Sequence, residues 1–327
     1  MEKKPFKTDI AVAMIFFNRP DTLKKVFESV RNARPSKLYL IQDGARINSP
    51  RDIENIENIE KCRNIVDNID WQCEVFRDYS DVNLGCGKRI FTGLCNVFAH
   101  EEYAAIVEDD IVIGESFLPF CKEMCERYKN DQRIQMISGM NHLGVYKECP
   151  YDYFFSKFGG AIWGWATWAR CWNELDWNME SITNPYVVHN LKESFFPNSQ
   201  GKLIAKGAKQ VHDDILKGKE PSFWSLHFGL HTFLNSRLNI VPKYNLISNV
   251  GLTGDSTHAV NSIKKVSKRL RCVFYAKIYT LPIPIKHPDF IIDDQIYRKR
   301  QDIIMNPSFW VRLTELPGRF YRKYFIK

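Results

Sequence analysis

Residues 10–17, Ile-Ala-Val-Ala-Met-Ile-Phe-Phe, form an unbroken apolar run that Asn18-Arg19-Pro20-Asp21 stops abruptly. A strand that is apolar on both faces must be covered on both, which points to a parallel sheet with helices above and below it. Pro20 suits the first turn of a helix, and Leu23, Val26, Phe27 and Val30 follow at helical spacing. The alternation then repeats. Residues 37–42 read as a strand ending at Asp43-Gly44. Ile53, Ile56, Ile59, Cys62, Ile65, Val66 and Ile69 read as a long amphipathic helix. Strands are predicted at 73–79, 104–107 and 134–138, and helices from the glycine-rich turn 83–88 through Phe98 and over 117–128. Strand and helix alternating at these lengths predict an α/β fold with a doubly wound, mostly parallel sheet. Beyond residue 140, Gly159-Gly160, Pro185, Pro197, Gly201, Pro221 and Pro242 punctuate the chain and the period is hard to assign. No polar linker marks a boundary, so one fold is expected, with a nucleotide-binding first half (1–140) and an acceptor-binding second half (141–260).

Composition narrows the partners. The 327 residues include 46 Lys plus Arg against 38 Asp plus Glu, a formal net charge of +8 that favours anionic ligands or surfaces. The excess is concentrated in a C-terminal extension, 261–327, where Lys264, Lys265, Lys268, Arg269, Arg271, Lys277, Lys286, Arg298, Lys299 and Arg300 precede Arg312, Arg319, Arg322, Lys323 and Lys327. Either a solvated face or a membrane-surface patch accounts for it. The aromatic stretch 273–279 beside these cations fits an interfacial segment on an anionic membrane. No nucleic-acid-binding motif accompanies the charge, so nucleic acid is not an expected partner. The 9 cysteines show neither a paired framework nor a C-x-x-C. A reduced, cytoplasmic protein is the simpler expectation. The eight-residue run at 10–17 is too short to span a bilayer and reads as neither signal nor anchor.

The chemistry is expected at Glu108-Asp109-Asp110, three acids closing the apolar strand at 104–107. In open α/β sheets, ligands bind beyond the carboxyl ends of the strands. Three unpaired carboxylates there repel one another, and a hard divalent cation, Mn²⁺ or Mg²⁺, would relieve them. A solvated, acid-rich turn or helix cap fits the same letters. Phe17, Asn18 and Arg19, where the first strand passes into a helix, suit a nucleotide's base and phosphates. Asp43 could accept from a base edge or a ribose hydroxyl, and Lys88 or Arg89 could meet phosphate. The glycines at 85 and 87 suit a turn equally well without a ligand.

Taken in order, residues 15–23, 41–44, 83–89, 107–110, 158–168 and 245–251, with Ser256-Thr257-His258, resemble the GT-A glycosyltransferases related to N-acetylglucosaminyltransferase I and their bacterial relatives. The resemblance covers roughly residues 10–260. It implies a GT-A fold, a mixed, mostly parallel sheet flanked by helices, with the basic extension added as helices. It also implies a nucleotide-sugar donor, Mn²⁺, and inversion at the anomeric carbon. Carried onto this chain, Asp110 would bind the metal, Glu108 and Asp109 would orient ribose and sugar hydroxyls, Asp43 would touch the base, and His258 would lie near the diphosphate or metal. Trp163 and Trp165, with Gly159, Gly160 and Gly164 between and before them, suit a wall around the donor sugar, although aromatics of this kind are more often core.

An inverting transferase also needs a base to take the acceptor's proton. Ser225 stands where the resemblance puts an acid. That departure leaves His227 and Asp214 as equal candidates, with Asp213 and Asp255 behind them. Two other classes compete: a sugar-phosphate nucleotidyltransferase, which Asn18-Arg19-Pro20 in place of a glycine-rich basic loop disfavours, and a transferase-like module that binds without turnover. The expected acceptor is a glycan or a lipid-linked glycan, as in surface polysaccharide synthesis.

Overall fold

The computed structural model describes residues 3–46, 52–195, 198–222, 224–252, 263–264 and 266–306. His258, Asp255 and the basic residues beyond 306 lie outside them. The elements run β1 (Thr8–Phe16), α1 (Pro20–Ala33), β2 (Pro35–Gln42), α2 (Asp52–Val66), β3 (Glu74–Tyr79), α3 (Cys86–Phe98), β4 (Tyr103–Glu108), β5 (Ile111–Ile113), α4 (Phe117–Arg127) and β6 (Ile134–Ser138). The second half follows with β7 (Tyr153–Ser156), β8 (Trp165–Trp168), α5 (Ala169–Trp172), α6 (Pro185–Glu193), α7 (Asn198–Leu216), α8 (Ser225–Leu234), β9 (Leu238–Pro242), β10 (Ile247–Asn249) and α9 (Gln295–Met305).

One eight-stranded sheet carries the molecule, in the order β3-β2-β1-β4-β8-β6-β9-β7. The pairs β3-β2, β2-β1, β1-β4 and β6-β9 are parallel, while β8 and β7 run against their neighbours. This is the mixed, mostly parallel sheet flanked by helices that the sequence predicts. β1 is central because its side chains are apolar in both directions. Ile10, Val12, Met14 and Phe16 join Leu23, Val26, Phe27 and Val30 of α1 and Phe117 and Phe120 of α4 on one face. Ala11, Ala13 and Ile15 face the other way, onto Ile90 and Leu94 of α3 and the indoles of Trp165, Trp172 and Trp224. Each such fully buried aliphatic side chain contributes about 1.5–3 kcal/mol of transfer free energy, so the two-sided cover fixes the layer order.

Two sequence expectations change. α2 is amphipathic only in its second half: Ile59, Cys62 and Val66 are buried, but Ile53 and Ile56 are 77% and 53% exposed. Among its described residues, the C-terminal extension is helical only at a 3₁₀ turn, Lys268–Val273, and at α9. Between them the chain lies along the body. Phe274 packs on Trp163, Lys286 N–H donates to the Asp152 carboxylate, and Tyr297 is fully buried against Tyr146 and Phe154. The stretch 273–279 therefore spends Val273 and Phe274 on the protein's own core rather than leaving them for a membrane. No helix among the described residues is long and apolar enough to cross one.

Candidate active site

Strand order sets the place. The chain steps outward from β1 to β2 and β3, then returns to the opposite side of β1 as β4. Connections leaving β1 and β4 lead to opposite sides along the sheet, and in open α/β sheets ligands bind at such a switch point, outside the carboxyl ends of the strands. Register brings the ends level: Ile15 pairs with Glu108, and Phe16 with Gln42. Phe17, Asn18 and Arg19 thus lie beside Glu108, Asp109 and Asp110, with Asp43 one strand away.

The acids sit at a fork. β4 ends at Glu108 in the large sheet, and β5 begins at Ile111 in a two-stranded antiparallel sheet with β10. Asp109 and Asp110 occupy the corner between the sheets, Asp109 buried and Asp110 nearly so. The Asp110 carbonyl accepts from Val250 N–H at 2.8 Å. Gly251 lies so close to the Asp110 carboxylate that a side chain there would collide with it. Glycine at 251 is therefore required by approach, not by dihedral angle.

Arg19 closes the corner from the other side. Its Nη2 donates to Asp109 Oδ1, and its Nη1 to Asp110 Oδ2 at 3.1 Å. Phe17 N–H reaches Asp109 Oδ2 at 3.3 Å. Burial alone would lower the Arg19 pKa, but the charges of Asp109 and Asp110 overcome it and hold the guanidinium above its ordinary value. Burial, then the charges of Asp110 and Asp109, push the Glu108 carboxyl up; Arg19 opposes them. Burial raises Asp110 as well, against Arg19. Three acids share one internal cation, and the corner keeps a surplus of negative charge.

The remaining polar groups of this edge have different partners from those expected. Asp43 is buried, and its Oδ1 accepts from Leu84 N–H (2.8 Å) and Gly44 N–H (3.0 Å), its Oδ2 from Gly85 N–H (2.9 Å). The carboxylate that was expected to touch a base holds the 83–85 turn instead; Gly85, at φ +80°, leads from that turn into α3. Arg89, expected at phosphate, is buried as a brace. Its Nε donates to the Gln42 carbonyl at 3.0 Å and its Nη2 to the Asp78 carboxylate at 2.6 Å, tying β2 to β3. Lys88 does face solvent, where it pairs with Glu220 at 2.6 Å. Asn18 Nδ2 donates to Asn55 Oδ1 at 2.6 Å, linking the first turn to α2.

Trp165 is fully buried and stacks on Trp224, with ring centroids 5.3 Å apart. It is core, and the donor-wall expectation does not hold for it. Trp163 is half-buried against Phe274. His227 is buried too: its ring stacks on Trp177, its Nε2 is 3.0 Å from the Trp177 carbonyl, and burial lowers its pKa. A carbonyl only accepts, so Nε2 carries the proton, and the free lone pair is that of Nδ1, which is buried without a partner. Asp214, near the end of α7, is held by Gln210 (3.0 Å) and Lys219 (3.1 Å), which lower its pKa. Ser225 is the exposed first residue of α8.

Among the described residues no group of three or more His, Cys, Asp or Glu is arranged to hold a metal ion. What the corner offers is the hard carboxylate oxygen of Asp110. That fits a Mg²⁺- or Mn²⁺-type ion whose other positions are filled by phosphate oxygens and water. Three contributors were not singled out from the sequence. Gln42 donates to the Phe17 carbonyl at 2.9 Å and accepts from Arg63, Gly251 abuts Asp110, and Glu220 partners Lys88. Gly251 and Gln42 carried a signal, as parts of the 245–251 and 41–44 stretches, and Glu220 carried none.

No protein-family model matches this chain, and no curated protein matches it. Among solved structures it is similar to S. aureus TarS 1–349, at 13% identity and TM-score 0.32, over 49% of this chain and 47% of that one. The overlap spans about half of the TarS chain. It is also similar to UDP-glucose pyrophosphorylase, both complexed with UDP-glucose (12% identity, TM-score 0.34, 72% of this chain and 91% of that one) and in the apo form (11%, 0.34, 73% and 93%). Likenesses this distant leave the functional argument to the site itself.

Proposed function

We propose that this chain is a glycosyltransferase that takes a sugar from a nucleotide diphosphate and places it on an acceptor hydroxyl with inversion. The observation behind the reading is the position of Glu108-Asp109-Asp110 at the switch point between β1 and β4, with Arg19 laid across two of the three carboxylates. An anionic donor with its cation suits such a corner. The Asp110 carboxylate would hold a Mn²⁺ or Mg²⁺ ion, whose chemistry is to neutralise charge on the departing diphosphate. Arg19, released from the acids, would meet a phosphate, and Glu108 and Asp109 would accept from ribose and sugar hydroxyls. The half-buried Trp163 offers a ring to the sugar. The acceptor oxygen would attack the anomeric carbon as the bond to phosphate breaks, and its proton would pass to a general base on the acceptor side.

A second reading, a transferase-like module that binds donor without turnover, is favoured by one observation: Ser225 stands at the start of α8 where the resemblance expects an acid. Donor hydrolysis separates the two. The assay covers UDP-, GDP- and dTDP-sugars, with CMP-sugars as a monophosphate comparison, with and without Mn²⁺ and with Asp110→Ala alongside. Metal-stimulated hydrolysis of one donor, lost in the variant, supports the transferase. Nucleotide binding without hydrolysis supports the module, and no interaction with any nucleotide overturns both.

The acceptor is proposed to be a glycan or lipid-linked glycan met at an anionic membrane surface, on the cytoplasmic side. The support is the outward face of α9, where Ile296 and Ile303, each 61% exposed, alternate with exposed Lys299 and Arg300. Flotation with phosphatidylglycerol vesicles is expected for the wild type and reduced for Ile296→Ser/Ile303→Ser. Equal flotation of the two would sink the idea.

A further inference from the structure

The segment between β8 and β9 forms a helical unit with a small core of its own, built from Met179, Ile182, Leu191, Phe195, Ala205, Ala208 and Leu230. On it lies a half-open cavity of about 660 Å³, between the 3₁₀ turn Glu180–Thr183, α6 and α7. Its floor is apolar, with Ile182 and Val188; its rim carries Lys192 from α6 and Lys209 from α7, with His189, His212 and Asp213. We propose that this cavity is a binding site for an anionic saccharide, a sugar chain bearing carboxylate or phosphate.

Charge argues for the anion. Among the described residues no carboxylate pairs with Lys192 or Lys209, so both ammonium groups are open to a ligand at the cavity. Two ammonium groups facing one cavity, offset by the single carboxylate of Asp213, leave a net positive field that an anion would neutralise. The arrangement mirrors the acid corner with the sign reversed.

Hydrogen-bonding capacity argues for a sugar. His212 is buried with Nδ1 2.9 Å from the Asn178 carbonyl. The carbonyl only accepts, so Nδ1 bears the proton and Nε2 presents a lone pair. That lone pair and the Asp213 carboxylate can accept from hydroxyls while the lysines meet the charge. The aliphatic floor suits the C–H face of a pyranose, and the volume falls within the range of about 300–1,000 Å³ usual for small-molecule sites. Inorganic phosphate alone would leave floor and acceptors unused.

Position connects the cavity to the transfer reaction. α7 carries Lys209, His212 and Asp213, and the turn after it delivers Glu220 to Lys88 on α3. The cavity therefore lies on the element that borders the nucleotide edge, in the half that supplies none of the acids. On the reading that the chain is a glycosyltransferase, it is an acceptor subsite, and the acceptor is acidic.

Isothermal titration of the full chain tests this with four probes: a uronic-acid tetrasaccharide, a glycerol-phosphate oligomer, inorganic phosphate and a neutral glucan tetrasaccharide. One of the two anionic oligomers is expected to bind, and which one names the acidic group. Lys192→Gln/Lys209→Gln is expected to weaken it by at least about tenfold, the effect of losing roughly 1.4 kcal/mol of binding free energy. Lys202→Gln, on an exposed position of the same helix, is expected to bind as the wild type does, and thermal unfolding checks that each variant is folded. Binding of neither oligomer, equal binding of the neutral glucan or of phosphate, unchanged binding in the double variant, or an equal loss in Lys202→Gln each overturns the proposal. Donor hydrolysis is measured separately. Its failure with anion binding intact removes the transferase and leaves the site, and the converse removes the site and leaves the transferase.

Discussion

The strand-end edge and the helical unit handle charge in opposite ways. At the edge nearly every ionic group is committed to another. Arg19 spans Asp109 and Asp110, Arg89 is locked between the Gln42 carbonyl and Asp78, and Asp43 is filled by backbone N–H groups. In the helical unit Lys192, Lys209 and Asp213 line a cavity with no ion pair among the described residues. The difference separates preorganisation from availability. A corner holding surplus negative charge needs its geometry fixed before a cation-bearing donor arrives. A site for a varied, hydrated sugar chain keeps its cations in water until the ligand comes. The reading is sharpest where a variant acts on one region and spares the other.

The largest effect is expected at Asp110. Asp110→Ala removes the carboxylate proposed to hold the cation and should lower donor turnover on the order of 100-fold or more, several kcal/mol of transition-state stabilisation. Saccharide binding at the helical cavity should be unaffected. A turnover within a few-fold of wild type, measured as nucleotide released, would break the assignment of the corner.

Arg89 comes next and tests commitment at the edge directly. Arg89→Met removes the guanidinium from Asp78 and from the Gln42 carbonyl, which keep only Asn96 Nδ2 and Ser80 N–H, and should cost about 2–3 kcal/mol in chemical denaturation, less than a fully buried pair because Asp78 is partly solvated. Were Arg89 a phosphate ligand, nucleotide affinity would fall with stability intact. The brace predicts the reverse.

How far these roles were legible in the sequence follows the same division. Strand β6 falls on residues 134–138 as predicted, and β1 to β4 within two residues; β1, β2, β4 and β6 are buried strands of a covered sheet, whereas β3 is a largely exposed edge strand. The acids at 108–110 were legible because an apolar strand cannot continue through them. Their partner was not. Arg19 and Asp110 are 91 positions apart, and only the β1-β4 register brings them together. The part Asp43 plays in holding the 83–85 turn was not legible, because its partners are backbone N–H groups, which leave no trace in the letters. Ile53 and Ile56 hold helical spacing without burial because α2 reaches the core only from Ile59 onward. The helical unit was illegible for a further reason: Met179, Leu191 with Phe195, and Leu230 come from three separate, proline-punctuated pieces that share no period.

Acid exposes a locked network within the helical half. His231 Nε2 lies 2.8 Å from Arg237 Nη1, and since a guanidinium only donates, that nitrogen must be unprotonated. Burial first, and Arg237 second, lower the His231 pKa from 6.5 to about 4. The unfolded chain therefore binds the extra proton between those values. Stability should fall as pH drops through 6.5, by on the order of 2 kcal/mol at pH 4, and level off below. His142, lowered to about 4 by burial, acts in the same direction. His231→Gln keeps an acceptor for Arg237 and should flatten part of the slope in denaturation midpoints measured from pH 7 to 4. An unchanged slope would mean the histidine is not held neutral.

Arg19 then asks how firmly the corner's internal cation competes with an external one. Arg19→Met frees Asp110 and should raise Mn²⁺ affinity in the absence of nucleotide by about tenfold, equivalent to roughly 1.4 kcal/mol. Free Mn²⁺ followed by electron paramagnetic resonance reads this without turnover. Nucleotide affinity should move the opposite way, since a phosphate partner is lost. If Mn²⁺ affinity does not rise, Arg19 does not guard the site, and the edge is less committed than its geometry indicates.

Asp214 should matter least, for reasons that bear on the whole comparison. It has a depressed pKa, a lysine and an amide in contact, and a place on the helix that also lines the saccharide cavity. It was a candidate base because Ser225 stands where the resemblance puts an acid. Yet a carboxylate held in water by Lys219 is a weaker proton acceptor than a free one, and exposed pairs of this kind contribute little to folding. Asp214→Asn should therefore leave donor hydrolysis, transfer and saccharide binding each within about twofold of wild type, as surface ion pairs generally do. Asp213→Asn, one residue earlier but facing the cavity, should weaken saccharide binding alone. If the two variants behave alike, the cavity is not distinguished from the surface around it, and the contrast between a committed edge and an available site fails on its second half. If Asp214→Asn instead abolishes transfer while sparing hydrolysis, the proton acceptor is Asp214 after all, brought to the donor edge through the turn that carries Glu220 to Lys88.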